Sequence, residues 1–160
     1  MSYAEQDYIE FKDWISMSSD TFNMAITMNE EESLLGQYCY FKSKKCIYQI
    51  TIHIECDEGG DYPALLVVKS GSQALDLLCV TSDSQSSTFA VIGFDEFDQV
   101  IRGQSRIGIA VGMADERFKV SRFSLKGSVK AIDHMRLGTV RLIENRPDNK
   151  SEKLPDGQYL

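Results

Sequence analysis

Gln37-Tyr38-Cys39-Tyr40-Phe41-Lys42-Ser43-Lys44-Lys45-Cys46-Ile47-Tyr48 runs directly into Gln49-Ile50-Thr51-Ile52-His53-Ile54-Glu55-Cys56. Two aromatic, β-prone segments flank a short basic turn, the pattern of a hairpin. A two-residue turn at Lys42-Ser43 pairs Phe41 with Lys44, Tyr40 with Lys45 and Cys39 with Cys46. Directly opposed residues hold their Cβ atoms about 4.5–5.5 Å apart, near disulfide geometry. Beyond the turn, Ile50, Ile52, Ile54 and Cys56 share one parity, and Thr51, His53 and Glu55 the other. That alternation reads as a long strand, Cys46 to Cys56, with one buried face.

The same period-2 pattern extends in both directions. Ile9, Phe11, Trp14 and Ile15 read as a first strand. Phe22, Met24, Ile26 and Met28 alternate with Asn23, Ala25 and Thr27, a half-buried strand with its apolar parity inward. Leu34–Phe41 forms the first arm of the hairpin. Ala64–Lys69 and Ala74–Val80 flank a tight turn at Ser70-Gly71-Ser72, and Thr88–Ile92 follows a Ser-rich loop. Arg106–Met113 and Arg117–Leu125 make another pair. In the second of these, Phe118 and Val120 disagree in parity with Phe123 and Leu125, so a β-bulge is expected near Ser121-Arg122.

Two short helices interrupt the strands. Glu96 to Arg102 follows Asp95 as N-cap and ends at Gly103. Val129 to Leu137 follows Ser128 as N-cap and ends at Gly138, with Val129, Ile132 and Met135 as the buried stripe. Thr139–Ile143 reads as a last short strand. Residues 1–144 then form one domain, and 145–160, with two prolines and many charges, a polar tail. The sum is mainly β: an antiparallel β-sandwich or partly closed barrel of about ten strands with two short helices.

The chain has 160 residues, 42% hydrophobic and 10% aromatic, which excludes a disordered chain. No apolar run reaches the roughly 18 residues of a membrane helix, so membrane insertion is not expected. The net charge is −7. Residues 1–32 carry eight acids (Glu5, Asp7, Glu10, Asp13, Asp20, Glu30, Glu31, Glu32) against Lys12, which is the whole excess. Residues 101–146 are net basic, ten bases to four acids. Such segments either neutralise one another or form a docking surface. The surface expected to meet a partner protein comprises Glu5, Asp7, Glu10 and Asp13, with Lys42, Lys44 and Lys45 at the hairpin tip beside Tyr38, Tyr40 and Tyr48. An acidic sequence (pI 4.8) argues against nucleic acid as the partner.

Four cysteines, Cys39, Cys46, Cys56 and Cys79, allow three connectivities; Cys39–Cys46 with Cys56–Cys79 is favoured, against four reduced thiols. Their spacing does not suit a zinc site, and no cofactor is expected. Only His53 and His134 are available for acid–base work, and His53 and Cys56 point to opposite faces of one strand. There is no Gly-x-Ser-x-Gly elbow and no phosphate loop. The acidic turn Asp57-Glu58-Gly59-Gly60-Asp61 lacks the calcium-loop pattern. The chain therefore reads as a non-enzyme.

Phe118-Lys119-Val120-Ser121-Arg122-Phe123-Ser124-Leu125-Lys126-Gly127-Ser128-Val129-Lys130-Ala131-Ile132, a strand closing in Ser-Leu-Lys-Gly before a short helix, resembles the C-terminal pattern of bacterial invasion-associated locus B-type proteins. The resemblance implies a small exported β-sandwich with paired cysteines, and it assigns no functional residue. It points to a cell-envelope interaction module, periplasmic or secreted if Met1 replaces a removed leader. If Met1 is the native start, a cytoplasmic acidic inhibitor or immunity-type protein that neutralises a basic partner is the alternative.

Overall fold

The computed structural model describes residues 7–113, 115–144 and 158–159. In chain order the elements are β1 (Tyr8–Phe11), β2 (Trp14–Ser18), β3 (Phe22–Met28), β4 (Leu34–Tyr40), β5 (Lys45–Ile52), β6 (Asp61–Val68), β7 (Gly71–Ser82) and β8 (Ser87–Ile92). Then follow α1 (Phe94–Gly103), β9 (Arg106–Gly112), β10 (Phe118–Ser124), α2 (Ser128–Glu144) and β11 (Gln158–Tyr159). Ten strands form one antiparallel path, β1-β2-β3-β4-β5-β8-β7-β6-β9-β10, and β11 pairs with β5 at Lys45 and Cys46. No ladder joins β1 to β10, so the sheet curls into a sandwich-like arrangement without closing into a barrel.

Bonds outside the ladders hold the curl together. Trp14 Nε1 donates to the Ser124 carbonyl at 2.8 Å, Asp13 N to the Lys126 carbonyl at 3.1 Å and Asn29 Nδ2 to the Arg122 carbonyl at 3.1 Å. The concave face carries the core: Leu35, Ile50, Ile52, Leu66, Leu77, Phe89, Ile109 and Phe123 are all buried. The helix α1 covers its middle, where Phe94 and Phe97 each pack 5.0 Å from the Tyr48 ring. The other helix, α2, lies across β1–β4, and Arg102 bridges the two helices by pairing with Asp98 and Asp133, each at 3.1 Å.

The hairpin register is the expected one: Cys39 opposes Cys46 and Tyr40 opposes Lys45. The turn is longer than two residues, with Lys44 N reaching the Tyr40 carbonyl at 3.0 Å and Lys44 itself in the left-handed region. Cys39 is bonded to Cys46, and Cys56 to Cys79. The strand after the hairpin stops at Ile52, and the longest strand is β7, with 12 residues. The expected first strand is a hairpin of two, because Lys12 takes a positive φ and reverses the chain.

Several local expectations fail for identifiable reasons. In β3 the buried parity is Asn23, Ala25 and Thr27, while Met24 and Ile26 are only half-buried and Met28 is exposed. Polar side chains face inward there because partners await them: Asn23 Nδ2 donates to Thr139 Oγ1 at 3.0 Å and Thr27 Oγ1 to the Asp13 carbonyl at 2.7 Å. In β10 there is no bulge at Ser121-Arg122; the register is continuous, and Phe118 stays outside against Gly112. The shift in the sheet falls in β7, between Cys79 and Thr81.

The second helix runs through Gly138, and Thr139–Ile143 is helical. Thr139 Oγ1 bonds back to the Met135 carbonyl at 2.7 Å, and Thr139 is buried, which anchors the extra turns. Its buried face is Ser128, Ala131, Ile132, Met135 and Thr139, with Val129 exposed. Ser128 does not cap; its hydroxyl reaches the Ile101 carbonyl at 3.3 Å. Gly127 precedes the helix at φ 90°, where an added Cβ would strike the Phe11 carbonyl, so only glycine fits. Asp95 is not the N-cap of α1 either. Gly93, again at φ 90°, swings the chain out of β8 and leaves Asp95 in the first turn, where its charge suits the helix dipole. Of the expected tail, only 158–159 lies within the described residues.

Candidate functional site

Antiparallel registers place Tyr8 opposite Met17, Met17 opposite Met24, Met24 opposite Tyr38 and Tyr38 opposite Ile47. These five side chains form one row across five strands on the convex face of β1–β5, about 19 Å wide at the usual strand spacing. A second row, Glu10, Ile15, Ile26 and Gly36, runs beside it. The contacts that seat α2 use the opposite face, through Ser16, Asn23 and Gln37. Tyr8 is 53% exposed, and Ile15, Met17, Met24, Ile26, Tyr38 and Ile47 are half-buried.

At the hairpin end of this face, Phe22 packs 5.7 Å from Tyr38 and 5.4 Å from Tyr40, and the Tyr40 hydroxyl accepts Gln49 Nε2 at 2.9 Å. Burial pushes the Tyr38 hydroxyl up to about 12 and raises Tyr40 as well. Both rings are therefore neutral, rigid and partly open to solvent. Such amphipathic rings, with adaptable methionines between them, suit a protein contact.

The expected contact residues divide. Tyr38 and Tyr40 lie on the convex face, while Tyr48 is fully buried on the concave one. The Tyr48 hydroxyl donates to Asp98 at 2.5 Å, and burial first, then that bond, raises its ionisation far above the ordinary range. Tyr48 is thus a core residue. Lys45 is also buried, whereas Lys42 is exposed and Lys44 half-buried. Asp7 and Glu10 are exposed at the sheet edge. Asp13 accepts the Ser124 hydroxyl at 2.5 Å, and Glu5 lies outside the described residues. Part of the acidic segment meets the basic one internally. Glu31 pairs with Lys119 at 2.7 Å, which lowers the Glu31 carboxyl from its ordinary value.

Sequence reasoning missed Met17, Met24, Ile26 and Ile47, because alternation identifies like faces without saying which one is covered. The two histidines are held structurally: His53 Nε2 lies 2.8 Å from the Glu31 carbonyl and His134 Nδ1 3.2 Å from Ser16 Oγ. Cys56 is in its disulfide. In the acidic turn, Gly59 N donates to the Cys79 carbonyl and Glu58 accepts the Ser82 amide, so the turn closes onto β7. Among the described residues, no three His, Cys, Asp or Glu side chains converge to hold a metal. No helix among them is long and apolar enough to cross a membrane.

Together these features define a class: a disulfide-stapled, open antiparallel sheet with two helices on its concave face and an apolar convex face. A solved structure of this architecture is that of invasion-associated protein B from Bartonella henselae. The match spans 86% of this chain and 98% of that one, with a TM-score of 0.60 and 12% identity. At that identity the likeness is one of fold, and it agrees with the resemblance in the C-terminal strand and helix. The sequence matches no protein-family model and no curated protein.

Proposed function

We propose that this chain is a non-enzymatic interaction module of the bacterial envelope that docks a partner protein on the convex face of β1–β5. The observation that carries this reading is the row Tyr8–Met17–Met24–Tyr38–Ile47 on the face away from α2, exposed at Tyr8 and half-buried elsewhere. Asp7, Glu10 and Asp20 stand exposed around it. An apolar centre with an acidic rim suits a partner whose apolar patch is bordered by lysine or arginine. Two disulfides and the fold shared with invasion-associated protein B support a periplasmic or secreted location, where cystines persist.

The test is a crosslinking capture in the native organism comparing wild type with Met17→Glu/Met24→Glu. Partners retained by wild type and lost by the variant, at unchanged circular dichroism, support the reading. An identical partner set places the contact elsewhere. Four free thiols in natively purified protein would sink the envelope location. The exposed acids also favour a second reading, an inhibitor or immunity-type protein that neutralises a basic partner. In that case Asp7→Asn/Glu10→Gln would slow association steeply and reduce its dependence on salt, while the methionine variant would have the smaller effect.

A further inference from the structure

Where the curled sheet approaches itself, a cleft of about 950 Å³ opens between the turns at Asp13 and Glu30-Glu31 and the strands β9 and β10. Its walls differ in charge. On the turn side, Glu31 is paired with Lys119, while Asp13, which accepts the Ser124 hydroxyl, and Glu30 keep their charge. On the strand side stand Lys69, Arg106, Arg122 and Lys126, all exposed.

Strand register explains why these cations crowd together. Arg122 opposes Gly108 and Arg106 opposes Ser124, so the two arginines lie diagonally on one face. Val67 opposes the same Gly108 from the other side, and Lys69 follows two residues later. None of the four has a contact ion pair among the described residues, and only Arg122 acts at longer range on Glu31. Like charges gathered on one sheet face repel unless a counter-charge lies between them. Here the gathering lines a cavity of ligand size.

We propose that this cleft binds a small, multiply charged anion bearing phosphate or carboxylate groups. Arg106 and Arg122 grip it, and Lys69 and Lys126 stand at the rim. The guanidinium forks match such groups bidentately. A net charge of −7 repels anions at long range, so capture depends on these short-range contacts. The site is independent of the docking face and stands or falls without it.

The experiment is amide-resonance titration of the full chain with pyrophosphate and, separately, with citrate. Shifts centred on β9, β10 and the turn at Lys69 are expected with at least one probe. Pyrophosphate alone would identify a phosphate ligand, and citrate alone a carboxylate ligand. Arg106→Gln/Arg122→Gln should weaken binding about tenfold or more, since each charge-assisted bond lost is of that order. Glu30→Gln, which removes one opposing charge, should tighten it about two- to threefold. Shifts centred on Lys130 or Arg141, no shift with either probe at about 10 mM (well above any useful affinity), or equal affinity in the double-arginine variant would each overturn the proposal.

Discussion

The two helices cover the same concave face yet bury different chemistry. Under α1 the interior is aromatic and apolar: Tyr48, Phe94, Phe97 and Phe89, with a single hydroxyl-to-carboxylate bond at the margin. Under α2 bonded polar groups are set among Trp14, Ala131, Ile132 and Met135. Ser16 meets His134, Asn23 meets Thr139, and Gln37 accepts from Arg136 at 3.4 Å. Burial lowers the Arg136 guanidinium from its ordinary value, the mark of a cation held out of water. The contrast teaches that a strand's inward parity follows the chemistry that covers it: β2 buries Trp14 beside Ser16, whereas β3 buries Asn23 and Thr27. Where a helix arrives with donors and acceptors, the polar parity turns in and the apolar parity is left outside, as on the convex face of β3.

The largest break in that contrast is Phe97→Ala, which should cost about 3–5 kcal/mol in urea unfolding, as for other large aromatic truncations in a core. A Phe97 variant within 1 kcal/mol of wild type would mean the interior under α1 is not close-packed. Next is Cys56→Ala/Cys79→Ala, which frees a 23-residue separation and should cost about 3 kcal/mol; removing Cys39–Cys46, separated by seven, should cost about 1 kcal/mol less. Reversal of that order in thermal melts would show that the hairpin is not held by its own strand pairing.

Polar exchanges are the sharper probe of the α2 side. Asn23→Val alone should cost about 1–3 kcal/mol by stripping Thr139 of its donor, and Asn23→Val/Thr139→Val should recover part of it. A double variant as unstable as the sum of the singles would show that the two groups do not interact. The tyrosines divide by location as well. A ring kept neutral by burial contributes stability fully below pH 10, and that contribution is lost as pH rises through the folded value, about 12 for Tyr38. Absorbance titration should therefore show Tyr38 ionising in the folded chain and Tyr48 only on alkaline unfolding. Tyr38→Phe should remove one tyrosine's amplitude near pH 12.

Smallest is the exposed pair at the seam. The Glu31 carboxyl is lowered, so its contribution is full above about pH 4.5 and lost as pH falls through the folded value. Glu31→Gln should flatten that acid limb at low salt and do nothing at high salt, as read by melting temperature. An equal effect in high salt would argue against Lys119 as the cause.

Strand count, hairpin register and the cysteine pairs were legible because each rests on local alternation or on directly opposed positions, as at Cys39 and Cys46. The fold class follows from the same signals. What was not legible depends on distant chain. Nothing near Asn23 announces Thr139, so the inward face of β3 could not be read from β3 alone. Gly138 looked like a stop because its neighbour's buried bond was invisible. Phe118 looked like a core residue because Gly112, which gives it an outer seat, lies on another strand. The contact surface suffered most. Tyr48 resembles Tyr38 and Tyr40 in composition, yet the register that opposes Tyr40 to Lys45 also opposes Tyr48 to Gln37, on the other face; what the hairpin alone does not reveal is which face the curl will close.

The bonds that complete the α2 layer and the seam span 88 to 118 residues of chain. A ribosome or an export channel releases β1–β3 long before it releases α2. During that interval Ser16 and Asn23 have no internal partner and keep their water, and β1 has no Gly127 beneath its Phe11 carbonyl. Topologies of such long closure fold late and slowly. A chain built this way remains threadable until its last helix arrives, and the final seventeen helical residues act as the latch on a structure that was laid out from the other end.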